Sequence, residues 1–127
     1  MQIPPEAILI GIAAFLIKHF IADYMLQTKY MLRNKGIYGH PGGIFHAVVH
    51  MVTSVPVLLG LGVELSLVLA LLLLEGVLHY HIDWSKEQVQ SRLAIGIKRV
   101  EYWYLFGLDQ VLHHLTYVMM FWIILRN

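Results

Sequence analysis

Long apolar stretches alternate with short polar ones along the chain. Four of the apolar stretches are long enough to cross the hydrocarbon core of a membrane as helices, which takes about 20 residues each. They cover residues 7–26, 44–63, 65–84 and 102–125. Gly60, Gly62 and Glu64 leave almost no chain between the second and third stretches, so we expect these two to form an antiparallel hairpin. The pattern predicts an all-α polytopic membrane protein, a bundle of four transmembrane helices in a single domain over residues 1–127.

The segment between the third and fourth spans has a helical pattern of its own. Over residues 85–101, apolar side chains recur at helical spacing while basic and amide side chains occupy the other faces. The apolar positions are Val89, Leu93, Ile97 and Val100. This pattern predicts a short amphipathic helix that lies in the membrane interface. A flexible loop is the alternative, because Gly96 weakens a helix.

The composition supports a membrane location and restricts the chemistry. Of the 127 residues, 58% are hydrophobic and 13% are charged, which is more apolar surface than a soluble domain of this size can bury. A soluble enzyme and a disordered chain are therefore excluded. The chain has no cysteine, so disulfides, iron–sulfur clusters and thiolate zinc sites are excluded as well. Any metal ligands must be histidine and carboxylate side chains.

The charges predict the partners and the orientation. The formal net charge is +1 without a long basic run, so we expect a lipid bilayer and no nucleic acid as partner. The first connection carries Lys29, Arg33 and Lys35, and the third carries Lys86, Arg92, Lys98 and Arg99. The positive-inside rule then predicts an integral protein of the cell (inner) membrane, with both basic connections cytoplasmic and both termini outside. An acidic residue, Glu6, precedes the first span, so we expect no cleaved signal peptide.

Each predicted span carries two polar residues four positions apart, the spacing that puts two side chains on one helix face. The pairs are His19 and Asp23, His46 and His50, His79 and Asp83, and Asp109 and His113. They fall late in the first and third spans and early in the second and fourth. Because the spans alternate in direction, all four pairs lie at one level, between the midplane and about 12 Å toward the cytoplasmic side. This coincidence predicts one shared site.

Such a cluster needs something to balance its charges, because an unpaired carboxylate in hydrocarbon is costly. We predict one or two divalent metal ions, zinc or iron, bound by imidazole and carboxylate ligands. The predicted ligands are His19, Asp23, His46, His50, His79, Asp83, Asp109 and His113, and Gln27, Gln110 and His114 are expected to support them from outside. Imidazolium–carboxylate pairs are the alternative, and any single pair could equally be an interhelical hydrogen bond.

Four sequence strings in this order are similar to a known family. They are HFIADYMLQT at 19–28, HAVVH at 46–50, HYHIDWSK at 79–86 and FGLDQVLH at 106–113. With them the chain resembles the prokaryotic membrane proteins grouped as domain of unknown function 3307, and the resemblance extends over almost the whole chain. It implies a four-span membrane protein with a shared polar site and no particular activity. The ligand pattern is also similar to that of membrane-bound metal-dependent hydrolases. His81 stands where we expect an apolar residue in the pattern of the domain of unknown function 3307 family, and its role is open.

The leading functional hypothesis is a metal-dependent hydrolase that acts on a lipid or another amphiphile at the cytoplasmic leaflet. A bound divalent ion lowers the pKa of its water to about 7. Glu75, or whichever carboxylate remains without a metal, would be the general base, with Asp109 as the second catalytic candidate. Arg33, Lys35, Lys98 or Arg99 would attract an anionic headgroup.

Three other functions remain open on the sequence. A zinc or iron carrier, working as a homodimer, could use the same ligands. A di-iron oxidase also needs clustered histidine and carboxylate ligands. In a small interaction subunit, the metal would merely tie the bundle together. The carrier needs a polar path beyond the site, and the sequence offers only Thr53, Ser54 and Thr116 for it.

Overall fold

The computed structural model describes residues 3–127, and within this range the chain is helical without strands. Its elements are α1 (Pro5–Phe20), a π-helical segment (Ile21–Leu26), α2 (Lys29–Asn34), α3 (Pro41–Gly60), α4 (Leu65–Arg92) and α5 (Val100–Arg126). Four helices are long and apolar enough to cross a membrane: α1 with its π-helical extension, α3, α4 and α5. The prediction of an all-α bundle with four spans is confirmed.

The α3–α4 hairpin is set by its turn and its helix caps. Gly62 has φ +73, a left-handed conformation that glycine adopts without steric cost. The side chain of Glu64 then caps α4 by accepting a hydrogen bond from the amide of Ser66 at 3.2 Å. At the other end of α3, the His40 side chain accepts from the amide of Gly42 at 3.0 Å. Both ends of the hairpin are therefore specified locally.

The prediction of a separate amphipathic helix over residues 85–101 is wrong. Residues as far as Arg92 continue α4, and α5 begins at Val100. Nothing in residues 85–92 breaks a helix, so the helix propagates beyond the apolar stretch. It ends at Arg92. Ala94, two residues on, has φ 50, and the amide of Ile95 bonds to the carbonyl of Gln90 at 2.9 Å. This closing bond is typical of a Schellman helix end.

A short helix occupies the first connection, where the sequence predicts only a polar stretch. Helix α2 begins after Thr28, whose side chain accepts a hydrogen bond from the amide of Met31 at 3.2 Å. It packs on α3. The local signal for this helix is the capping threonine.

The interior of the bundle divides into an apolar half and a polar half. The apolar half lies toward the α3–α4 turn and contains buried Phe15, Leu58, Leu71, Met120 and Ile124. Large apolar side chains such as Leu9 (68% exposed) and Leu73 (63% exposed) cover the outside, as lipid-facing positions would. The polar half lies toward the connections at residues 27–40 and 93–99, and we call this end of the bundle the basic end.

Candidate metal centre

All four long helical segments contribute buried polar side chains to the polar half. On α3, α4 and α5 these side chains follow one another four residues apart, so that they form three layers along the bundle axis. On the first segment His19 and Asp23 have the same spacing, and Lys18 directly precedes His19. The layer nearest the basic end contains Asp23, His46, Asp83 and Asp109. The next contains His19, His50, His79 and His113, and the deepest contains Lys18, Ser54, Glu75 and Tyr117. Of these, all but Asp23 are buried, and the Asp23 side chain is 13% exposed. The prediction that the four pairs share one level agrees with this arrangement.

The second layer is a ring of four imidazoles. The ring centroids of His50 and His79 lie 3.7 Å apart, and those of His79 and His113 lie 4.1 Å apart. His19 completes the ring at 5.0 Å from His50 and 5.2 Å from His113. The ring thus brings one imidazole from each of the four long helical segments together in the interior of the bundle.

Several ligand atoms converge on a single ring nitrogen, Nε2 of His46. It lies 3.2 Å from Oδ1 of Asp23, 3.2 Å from Oδ2 of Asp83 and 3.2 Å from Nε2 of His79. The Asp23 Oδ1 atom is also 3.0 Å from Nε2 of His50. One ring nitrogen carries at most one hydrogen, so it cannot hydrogen-bond to all three neighbours. A metal ion among these atoms would satisfy them together.

Two groups of side chains have the geometry to hold a metal ion. The first is Asp23, His46, His50 and His79, and the second is His79, Asp83 and His113. Within each group one ligand atom per residue lies within 4.8 Å of the others. Oδ2 of Asp83 and Nε2 of His113 are buried and have no hydrogen-bond partner, as ligand atoms would before metal binds. The residues therefore fit a metal site.

Two of the eight predicted ligands flank these groups. Nε2 of His19 lies 3.1 Å from Oδ2 of Asp23, beside the first group. Oδ1 of Asp109 lies 3.8 Å from Nδ1 of His113, beside the second group. Asp109 is the carboxylate of the cluster that neither group includes.

Amide side chains contact the ligands from outside, at the positions where the sequence puts them. Nε2 of Gln27 lies 3.1 Å from Nε2 of His46. The Gln110 amide donates to Oδ2 of Asp23 at 3.2 Å and to Oδ2 of Asp109 at 3.3 Å. His114 lies beside His19, with ring centroids 5.3 Å apart, and belongs to neither ligand group.

Asp23 lies in the π-helical segment that follows α1. A π-helical turn adds a residue to the turn and changes the direction of the side chains after it, and such turns are common at functional sites. Here Asp23 faces the bundle interior, where it contacts the candidate ligand His50 on α3 and the amide of Gln110 on α5. Hydrophobic periodicity predicts the span and does not predict this change of helix type.

The comparison with protein families gives a match that includes every residue of the centre. Residues 12–127 match the family described as Protein of unknown function (DUF3307). The chain belongs to this family. Comparisons with curated proteins and with solved structures find no match. The resemblance predicted from the four strings is confirmed, and the description of the family names no activity.

Two lysines that the sequence patterns do not assign to the site lie inside the bundle. Lys18 forms a buried ion pair with Glu75 and donates to the carbonyl oxygen of His50 at 3.2 Å. Lys35, expected to attract a headgroup, is instead buried and lies 3.2 Å from Oδ1 of Asp83. The signal for Lys18 is its position inside an apolar span, next to His19. Lys35 carries no such signal, because it lies in a connection.

A groove of about 310 Å³ runs between α4 and α5 and reaches the centre at Asp109. Asp109 and Lys86 are its charged residues, and the rest of its lining is mostly apolar. The groove thus connects the outside of the bundle with the carboxylate that neither ligand group includes.

Proposed function

We propose that this protein is a membrane-embedded metal-dependent hydrolase that acts on a lipid or another amphiphile. The convergence of Asp23, Asp83 and His79 on one nitrogen of His46 carries the proposal. Even with Lys35 bonded to Asp83, a single hydrogen on this His46 nitrogen cannot pair with both carboxylates and with His79. Polar atoms left without a partner at hydrocarbon depth are costly. Divalent ions, zinc or iron, match this donor set of imidazole nitrogens and carboxylate oxygens.

The ligand groups suit open rather than closed coordination. The two groups share His79, so together they contain six side chains. If His79 serves the second ion, Asp23, His46 and His50 remain for the first, and each ion has three protein ligands. Three protein ligands and an open position are typical of catalytic zinc, whereas structural zinc has four. This division favours catalysis over a metal that only ties the helices together.

Asp109 is the best candidate for the general base. Glu75 is bonded to Lys18 through one of its oxygens, lies one layer below most of the candidate ligands, and does not line the groove between α4 and α5. Asp109 keeps a buried Oδ1 atom without a hydrogen bond and lines the groove to the outside. A bound divalent ion would supply a water with a pKa near about 7 and would polarise a carbonyl or phosphoryl oxygen. Asp109 would accept the proton of that water and return it to the leaving group, with Gln110 holding the other carboxylate oxygen.

The apolar half of the bundle favours a fixed site over a carrier. Beyond the layer of Lys18 and Glu75, the described interior consists of apolar side chains such as Phe15, Leu58 and Met120. A carrier needs a path for its ion to both sides of the membrane, which this interior does not offer. On this proposal, the basic end faces the cytoplasm, and the substrate is in the cytoplasmic leaflet.

Elemental analysis together with a lipid hydrolysis assay tests the proposal. We expect one or two equivalents of zinc or iron in purified protein, and loss of metal in Asp23→Ala and His79→Ala. His81→Ala is the matched control for metal content, because His81 is an exposed histidine on the same helix as His79 and lies outside both groups. It is no control for hydrolysis, because it lines the groove between α4 and α5. Asp109→Asn should retain metal and lose hydrolysis of phospholipid vesicles.

Protein without stoichiometric metal would contradict the proposal. Bound iron with an oxygen-dependent change in visible absorption, and no hydrolysis, would replace the hydrolase by an oxidase.

A further inference from the structure

The groove between α4 and α5 has an uneven distribution of polarity along its length. Ser85 and its two charged residues, Lys86 and Asp109, lie toward the basic end, and a further polar residue, His81, lies about one turn of α4 deeper than Ser85. Leu78 and Leu112 lie at its deeper end, and Ile82 and Leu108 lie between. We infer that this groove binds an anionic phospholipid, with an acyl chain along the apolar wall and the phosphate at Lys86. That the bound lipid is a substrate rests on the proposed function. That the groove binds the lipid does not.

The length of the groove agrees with one leaflet of a bilayer. On α4 it extends from Leu78 to Val89, which at 1.5 Å per residue is roughly 16 Å. The hydrocarbon core of a bilayer is about 30 Å thick, so one leaflet contributes about 15 Å. An acyl chain that enters beside the headgroups would thus reach the deep end of the groove near the midplane.

Contact with the centre distinguishes this groove from its neighbour. A second groove, of about 350 Å³, lies between α3 and α4 and is lined by residues such as Val48, Met51 and Val77. Its described lining includes none of the candidate ligands. The α4/α5 groove includes Asp109, whose carboxylate lies 3.8 Å from the His113 ring nitrogen. A lipid in the α4/α5 groove therefore lies beside the candidate metal site.

Lys86 provides the positive charge that favours an anionic headgroup. It follows Asp83 by three residues and His79 by seven, so the three lie on one face of α4. Its backbone position is therefore roughly 10 Å nearer to the basic end than that of His79. Glu87 takes one of its three donors, at 3.1 Å, and two remain for a phosphate. Because the ester bonds of a phospholipid lie deeper than its phosphate, a lipid anchored at Lys86 would bring an ester toward Asp109.

Lipid retention by the purified, chelator-treated full chain tests this inference without catalysis. The protein in detergent is titrated with phosphatidylglycerol, with phosphatidylcholine of the same acyl chains, and with inorganic phosphate, and the bound molecules are counted by native mass spectrometry. We expect one phosphatidylglycerol per chain, weaker retention of phosphatidylcholine, and no displacement of either lipid by phosphate.

Two substitutions separate the apolar wall from the charge. Leu108→Trp fills the groove and should abolish retention of both lipids. Lys86→Met should weaken the binding of phosphatidylglycerol about fivefold, which is the effect of one lysine near a membrane surface. It should leave the binding of phosphatidylcholine unchanged. The matched controls are Leu115→Trp and Lys29→Met, because both residues are exposed and lie outside the groove lining. Both controls should retain lipid as the wild type does.

Equal retention of the two lipids by the wild type would overturn the inference. So would full retention by Leu108→Trp, or binding of phosphate alone with the affinity of the lipid. These outcomes do not depend on the metal. If the protein is a metal-dependent hydrolase but retains the two lipids equally, only this inference is contradicted. Specific retention of phosphatidylglycerol without hydrolysis would contradict only the proposed function.

Discussion

The hydroxyl of Tyr117 lies 2.9 Å from Nδ1 of His19, and this contact fixes the orientation of the His19 ring. Tyr117 is itself held, because its ring stacks on Phe15 with centroids 4.9 Å apart. The ammonium of Lys18 lies 4.6 Å from the centroid of the same ring. With Nδ1 engaged, the other nitrogen of His19 faces Asp23 at 3.1 Å. Asp23 belongs to the first ligand group, and hydrogen-bonding partners of this kind orient metal-binding carboxylates.

Tyr117→Phe removes this hydroxyl and leaves the aromatic packing in place. We expect the affinity for zinc to fall about 10- to 100-fold, the usual effect of losing a contact that orients a ligand. Competition with a chromophoric chelator measures the affinity, and circular dichroism checks that the helices remain. Tyr104→Phe is the control, because Tyr104 is 70% exposed. Equal zinc affinities for Tyr117→Phe and the wild type would show that His19 needs no such support.

Lys18 and Glu75 form a buried ion pair. We therefore expect the stability lost on substituting one of them to depend strongly on whether the other is present. Lys18→Met alone leaves the Glu75 carboxylate buried without its cation, and we expect a loss of about 3–5 kcal/mol in the free energy of unfolding. Lys18→Met combined with Glu75→Leu should recover most of this loss, because a buried ion pair can be replaced by apolar side chains.

Denaturant unfolding in detergent measures this double-mutant cycle. Lys29→Met serves as the control, because Lys29 is exposed and its loss should have little effect. Additive losses in the double variant would mean that the two residues contribute separately to stability.

Periodicity predicts the centre because the relevant spacings are local. His79 and Asp83, four residues apart, must share a helix face wherever their helix packs. Alternation of span direction then brings such pairs to one level. Lys18 and Glu75 are 57 residues apart in the sequence, and no local rule joins them. Their pairing depends on how α1 rotates against α4, which only tertiary packing decides.

In the third connection, by contrast, a real helical pattern of apolar residues leads to a wrong prediction, that of a separate helix. Val89 keeps helical spacing with the residues before it, so its pattern is part of α4 rather than of a new helix. The helix end near Ala94 depends on a left-handed residue that is not glycine. Such a conformation is uncommon for alanine, and the sequence therefore gives no signal for it.

Removal of metal should lower the thermal stability of the protein. The candidate ligands leave buried atoms unpaired, including Oδ2 of Asp83 and Nε2 of His113, and metal would pair them. At a free zinc concentration 100 times the dissociation constant, binding adds about 2.7 kcal/mol to the folded state. Thermal unfolding with chelator and with added zinc measures this shift. His79→Ala should lose it, because His79 belongs to both ligand groups, and the exposed control His81→Ala should keep it. A shift in His79→Ala equal to that of the wild type would mean that zinc binds elsewhere.

Two glycines in helices should respond to alanine in opposite directions. A Cβ atom added at Gly11 would lie 2.6 Å from Cζ of Phe121, so that α1 and α5 would have to separate or the ring would have to shift. Overpacking of this kind costs about 1–3 kcal/mol. Gly107 has nothing within 4 Å of an added Cβ atom, and alanine there should gain about 0.5–1 kcal/mol by restricting the unfolded chain. Thermal unfolding of both variants in the same detergent gives the comparison. Stabilisation by Gly11→Ala would contradict the close approach of α1 to α5 on which the position of His19 depends.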